Sequence, residues 1–236
     1  MEIDNILILR TLLLFIPYAL ILLYFYYKVR DPFFLKPRTY IQLNILMLCL
    51  VVVFVETVYW HLSLRHYDFL GFGLSVSDQN QNTSNVILVL LGILAAVLGW
   101  LFTYRGQAVT TTRNHTIQTL IDSRLSEAYV KQVENATEIY TKFKKIKGES
   151  YKLEYAEFQD LEPKYKNAIF YLLNYLEFVA VGIRFGDLDE NQMKNMMKSI
   201  IAANFTFFEE VIKNKQCTSP TVYEHLTALH RRWNCK

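Results

Sequence analysis

Five lysines, Lys142, Lys144, Lys145, Lys147 and Lys152, fall within the eleven residues of KFKKIKGESYK. Ammonium groups at that density suit an anionic ligand, either a phosphorylated molecule such as a nucleotide signal or acidic lipid headgroups. Arg113 joins them as a candidate ligand-binding residue. A solvated helix end, with cations facing the negative end of the helix dipole, is the plainer and favoured reading of the lysines.

Catalytic chemistry is harder to assemble. Arg113, His115 and Asp122 can be drawn together on paper, but such triplets occur by chance in most helical proteins. His225 and His230 are five apart, off the i, i+4 spacing that aims two imidazoles at one metal. The sequence holds no glycine-rich phosphate loop, HExxH, CxxC pair or nucleophile elbow. The expectation is a protein that is not an enzyme and uses neither metal nor cofactor.

Other polar residues stand in apolar company. Glu56 interrupts VVVFVETVYW, and Arg10 interrupts the first apolar run at a similar depth from its end. Charges within lipid pair, face protein or mark a pathway. An Arg10–Glu56 ion pair is therefore expected, as a pin for helix register rather than a gate. Asn174 and Glu177, one turn apart in YLLNYLEFVAVGIRFGDLDE, are expected to point into their domain, with Arg113 or Arg124 as partner to the carboxylate.

The elements that must position these residues follow from composition. Of 236 residues 52% are hydrophobic and 15% aromatic, and the apolar ones crowd into the first 105 positions. With a mean hydropathy of +0.13, this predicts one part in lipid and one in water. A net charge of +3 is too mild to imply nucleic-acid binding. Cys49, Cys217 and Cys235 lack metal-ligand spacing and imply no disulfide framework.

Apolar runs near 6–27, 40–60 and 86–104 are each long enough to cross a ~30 Å hydrocarbon core as helices. The first is too long for a leader's apolar core and lacks a basic flank, so no cleavable leader is expected. Lys28, Arg30, Lys36 and Arg38 make the first link basic, while the second link carries Arg65 against Asp68 and Asp78. The positive-inside rule then puts the first link and residues 106–236 in the cytoplasm and the N-terminus outside. Gly92, Ala95, Ala96 and Gly99 give the third run a small-residue face suited to close packing, within the chain or in a homo-oligomer.

Beyond residue 105 the apolar spacing is helical, without period-two alternation. One helix is expected to run on from the third span to Lys147 with a bend at Gly106. Others are expected from Pro163 to Phe185, from Asp189 to Lys215, and from Ser219-Pro220 to Trp233. The fold class is all-α: a transmembrane domain of three helices, 1–105, then a cytoplasmic bundle of four or five helices, 106–236.

LLNYLEFVAVGIRFGDLDEN, with the later FFEEVI and HRRW, resembles an uncharacterised bacterial membrane family described only as a domain of unknown function. Asn174, Glu177, Gly182, Arg232 and Trp233 carry the resemblance, which covers about Arg105 to Trp233. It implies amino-terminal spans in a bacterial inner membrane, a long juxtamembrane helix and a helical domain, but no activity. Three spans depart from the two common in that family. Small bacterial proteins built this way resemble antiphage effectors, CRISPR-linked ones among them, that disturb the membrane when a nucleotide signal binds. Two functions fit. The first is a non-enzymatic integral membrane effector or sensor, whose cytoplasmic domain binds a ligand such as an anionic nucleotide, or a partner, and acts on the transmembrane helices. The second is a passive anchor or scaffold that docks a cytoplasmic protein partner.

Overall fold

The computed structural model describes residues 5–59 and 81–234. Among them regular structure is entirely helical. The order is α1 (Asn5–Tyr24) running into a π-helical turn (Phe25–Val29), α2 (Thr39–Tyr59), α3 (Gln81–Leu125), α4 (Glu127–Lys147), α5 (Tyr155–Asp160), α6 (Pro163–Phe185), α7 (Glu190–Phe207), α8 (Glu209–Thr218) and α9 (Glu224–Asn234). The chain forms two units, Met1–Asp31 with Pro37–Val109, and Pro32–Lys36 with Thr110–Lys236.

In the first unit the usual burial pattern is inverted. Among its described residues only Phe25, Leu43 and Leu101 are buried apolar side chains, while Phe15 and Phe102 are 64% and 69% exposed. Water disfavours so continuous an apolar surface, and hydrocarbon does not. Helices α1, α2 and α3 each contain a stretch long and apolar enough to cross a membrane, which marks a membrane-associated protein.

Helix α6 also passes that test of length and composition, but its apolar residues are used differently. In its most apolar window 44% of residues are buried, against 6% in each of the other three. Ile169, Leu172, Leu173, Leu176, Val179, Ala180 and Ile183 recur at helical spacing and form the centre of the second unit. Helices α4 and α9 pack on α6, α7 packs on α9, and α8 closes against α5 and α7. Pro163 starts α6 at a first-turn position where its missing N–H costs nothing, and Gly186, at φ +79°, ends it.

Several boundaries depart from the sequence reading. Helix α3 continues through Gly106, and the break falls at Ser126, whose extended backbone precedes α4. A single helical glycine costs only about 1 kcal/mol, which a helix of 45 residues absorbs. The stretch Asp189–Lys215 is two helices, because the backbone turns at Phe208 so that Phe207 and Phe208 both enter the core. Ser219-Pro220 opens a turn rather than a helix. Helix α9 begins only after Tyr223, held in a left-handed conformation at φ +57° with its ring buried. With the short α5, the described residues of the second unit form six helices besides its share of α3, more than the four or five expected.

Candidate functional site

The most elaborate polar constellation of the second unit gathers where α6 ends, α7 begins and α9 ends. Its geometry starts at Gly182. The Gly182 carbonyl accepts hydrogen bonds from the Asp187 and Leu188 N–H groups at 2.9 and 3.0 Å, folding the chain back tightly after α6. A Cβ at Gly182 would lie 2.6 Å from Leu188 Cδ1, so only glycine permits this approach. Asp189 then caps α7 by accepting from the Gln192 N–H at 2.9 Å. Its own N–H donates to Thr116 Oγ1 at 2.8 Å, tying the buried Thr116 of α3 to the start of α7.

Glu190, in the first turn of α7, faces the end of α9. Its carboxylate accepts from Arg232 Nε at 2.6 Å, Arg232 Nη2 at 3.1 Å and Trp233 Nε1 at 3.1 Å. Two-pronged pairing of this kind fixes the guanidinium plane. From the last turn of α6, Arg184 Nη1 lies 2.8 Å from His225 Nδ1.

Pro32–Lys36 lies on this surface. The Leu35 N–H donates to the Arg184 carbonyl at 2.8 Å, and Arg184 Nε donates to the Phe33 carbonyl at 3.2 Å. The Arg232 guanidinium stands 4.4 Å from the Phe33 ring centre and 5.3 Å from that of Phe34, and Lys36 Nζ stands 4.9 Å from that of Phe185. Both phenyl rings are half-buried against the core. One amide and one guanidinium hydrogen bond at about 1 kcal/mol each, with cation–π contacts of about 0.5–1 kcal/mol each, give a hold of a few kcal/mol. We refer to Pro32–Lys36 as the strap and to its seat as the cradle.

Glu177 does different work from that expected. Its partners are backbone donors rather than Arg113 or Arg124: the carboxylate accepts from the His225 and Leu226 N–H groups at 3.2 and 2.7 Å, capping α9 from α6. Asn174 is exposed, so the pair does not point inward together. The buried face of α6 is centred near Leu176, which leaves Glu177 at its edge and Asn174 on the far side. Burial raises the Glu177 carboxyl above the ordinary carboxylate value, against the opposing pull of the Leu226 and His225 N–H groups. A raised folded-state value means a stability contribution present below the unfolded value and lost as pH rises through the folded one. Glu177→Gln, which keeps an acceptor without charge, should therefore match the native chain at low pH and exceed it in stability at neutral pH. Glu177→Ala strands two donors and should cost about 1–2 kcal/mol at either pH. Denaturant unfolding of both variants across that range checks this.

The lysines prove to be mostly paired. Lys144 contacts Glu149 at 3.4 Å, Lys147 pairs with Glu157 and Tyr151, and Lys152 meets Glu209 at 2.5 Å. Lys152 and Lys213 hold the Glu209 carboxyl below its ordinary range. Lys142 and Lys145 are exposed and have no ion pair among the described residues. Arg113 Nε reaches Asp189 at 3.9 Å from an exposed position and joins none of them. Exposed pairs contribute little, so Lys152→Ala should lower stability by less than about 1 kcal/mol, measured in the same unfolding experiment.

In the first unit the Tyr18 hydroxyl donates to the Glu56 carboxylate at 2.9 Å. The side chain of Arg10, the expected partner, lies outside the described residues. Asn44 accepts from Arg105 Nε at 2.7 Å and so links α2 to α3. His230 stacks on Phe205 at 4.1 Å, and its burial lowers its pKa. Among the described residues no group of three or more His, Cys, Asp or Glu is placed to hold a metal ion.

The sequence reading missed Phe33, Arg184 and Glu190, and weighed His225 only as a metal ligand. Phe33 and Phe34 sit between two prolines in DPFFLKP, a pair of rings in a link read only for its charge. The other three carry no sequence signal, since turn geometry alone brings them together.

No curated protein and no solved structure matches the chain. One family model does, over residues 86–233, well over half of the sequence, and these bounds enclose every cradle residue and exclude the strap. With Gly182, Glu190 and the Arg232-Trp233 end of α9 all inside the matched region, the chain belongs to the family described as Domain of unknown function (DUF4760).

Proposed function

We propose that this is a non-enzymatic integral membrane effector or sensor, whose helical domain lies in the cytoplasm and acts on three transmembrane helices. One observation carries the reading: apolar segments enter the helical unit at two separate places. The unbroken α3 runs from its apolar half into residues packed with α7, and the link after α1 supplies the strap. A mere tether needs one entry. The burial of α6 in the helical core supports three spans rather than four. Four basic residues in the first link support a cytoplasmic position for it and for the helical unit in a bacterial inner membrane.

Self-association through α3 belongs to the same reading. Gly92, Gly99 and Gly106 recur every seven residues, with Ala96, Thr103 and Thr110 four beyond each. All six are exposed, and a Cβ at any of the three glycines would meet nothing within 4 Å. Small residues at heptad spacing suit a second copy of the same helix. The output we assign is membrane disturbance in answer to an anionic signal such as a nucleotide, as in the antiphage effectors that this architecture resembles. Lys142 and Lys145 are the two lysines of the cluster without an ion pair among the described residues, and so suit such a ligand. Purified protein in dye-loaded vesicles should release dye when deproteinised extract from infected cells is added, and retain it otherwise. Retention under every condition, with a protein that co-purifies stoichiometrically, would instead establish a passive scaffold.

A further inference from the structure

We propose that the cradle is a receptor for the strap, and that release and recapture of Pro32–Lys36 is a switch built into the chain. It rests on the coupling reading above for its consequence; the docking itself does not. Three features of the site lead there. The strap belongs to the helical unit by its contacts, whereas the residues on either side of it, Asp31 and Pro37, belong to the other unit. Movement of these five residues would therefore change what the helical domain holds of the link between α1 and α2.

The hold is also shallow. Phe33 and Phe34 are half-buried, Leu35 is 47% exposed, and the strap's backbone accepts one bond from Arg184 and donates one to it. A segment serving only to complete the core would bury its rings fully.

Finally, the cradle keeps its shape when vacated. Arg232 remains paired with Glu190, and Arg184 gives up the Phe33 carbonyl but keeps His225 beside Nη1, so both guanidiniums stay in place when the strap departs. An emptied seat of this kind presents two ordered guanidinium planes and the Phe185 ring to water. The matching ligand is a short peptide with two adjacent aromatic residues, a branched apolar residue and a lysine. That is the strap's own sequence, and the family match encloses the seat but not the strap.

The test uses the full chain in detergent, with Phe33→Ser and Phe34→Ser combined, and a labelled peptide spanning Asp31 to Arg38. Hydrogen exchange at the Leu35 amide should be slow in the native chain and fast in the double variant, with α6 and α9 amides unchanged. The peptide should bind the double variant at least about tenfold more tightly than the native chain, whose seat is occupied in cis. A peptide with serine at both aromatic positions should not bind. Equal binding to both proteins, no binding to the double variant, or loss of α6 protection in it would each overturn the proposal. Loss of α6 protection would make the strap part of the core. Vesicle leakage is read separately: peptide binding without leakage retains the receptor and removes the effector, and leakage without peptide binding does the reverse.

Discussion

Glu190→Ala should destabilise the helical unit by about 2–3 kcal/mol. The carboxylate accepts three hydrogen bonds, two from Arg232 and one from Trp233, while its side chain keeps 13% of its exposure and that of Arg232 keeps 29%. Removing it takes these three bonds from a largely desolvated guanidinium and an indole N–H, which costs more than the pair itself contributes. Partial exposure of Arg232 keeps the loss below that of a fully buried pair. Glu190→Gln retains one acceptor and should lose roughly half as much. The effect should also travel. Arg232 stands over Phe33 and Phe34 in an orientation that Glu190 fixes, so the Leu35 amide should exchange faster in both variants. Denaturant-dependent hydrogen exchange at α6, α9 and Leu35 measures both effects in one experiment. Unchanged protection at α9 would show that the three bonds contribute nothing.

The second large effect is expected at Gly182, where Gly182→Val should cost about 2–3 kcal/mol. The new Cβ would fall 2.6 Å from Leu188 Cδ1 and 2.8 Å from Cγ, inside contact distance, and Leu188 is itself buried. The leucine cannot withdraw readily, because its main chain is bonded to the Gly182 carbonyl and its buried side chain has packed neighbours on every other side. Alanine at the same position would recover about 1 kcal/mol in helix propensity and should be milder. Adding Leu188→Ala to Gly182→Val should restore part of the loss, since the two side chains compete for one space. A double-mutant cycle reads that coupling directly. Additive losses would mean that the tight approach is not what glycine serves here.

Parts of this organisation were legible from residues alone. Pro163 and Gly186 bound α6 where proline and glycine punctuation placed them, and Asp189 caps α7 as an acidic residue before an amphipathic run should. The apolar runs of α1 to α3 were visible because span length is set by bilayer thickness. Tertiary packing decided what remained. Phe208 breaks a run whose composition is helical throughout, because two adjacent rings both find the core. Glu177 looked like half of a side-chain pair, yet a carboxylate at the edge of a buried helix can equally meet the free N–H groups of another helix's first turn. The lysine cluster read as one basic site, but Glu149, Glu157 and Glu209 reach three of its members, Glu157 across the loop after α4 and Glu209 from the start of α8. The strap was hidden for a simpler reason. Nothing in DPFFLKP tells whether a short link between two apolar helices binds water, lipid or another part of its own chain.

Single-cysteine labelling tests the placement of the strap and the helical domain on one side of the membrane. In a chain with Cys49, Cys217 and Cys235 replaced, Lys36→Cys and Lys145→Cys would each be exposed to a membrane-impermeant maleimide in intact cells and after permeabilisation. Both positions should stay unlabelled until the membrane is opened, and then both should react. Labelling of position 36 in intact cells with position 145 protected, or the reverse, would put the link and the domain on opposite sides and contradict the account.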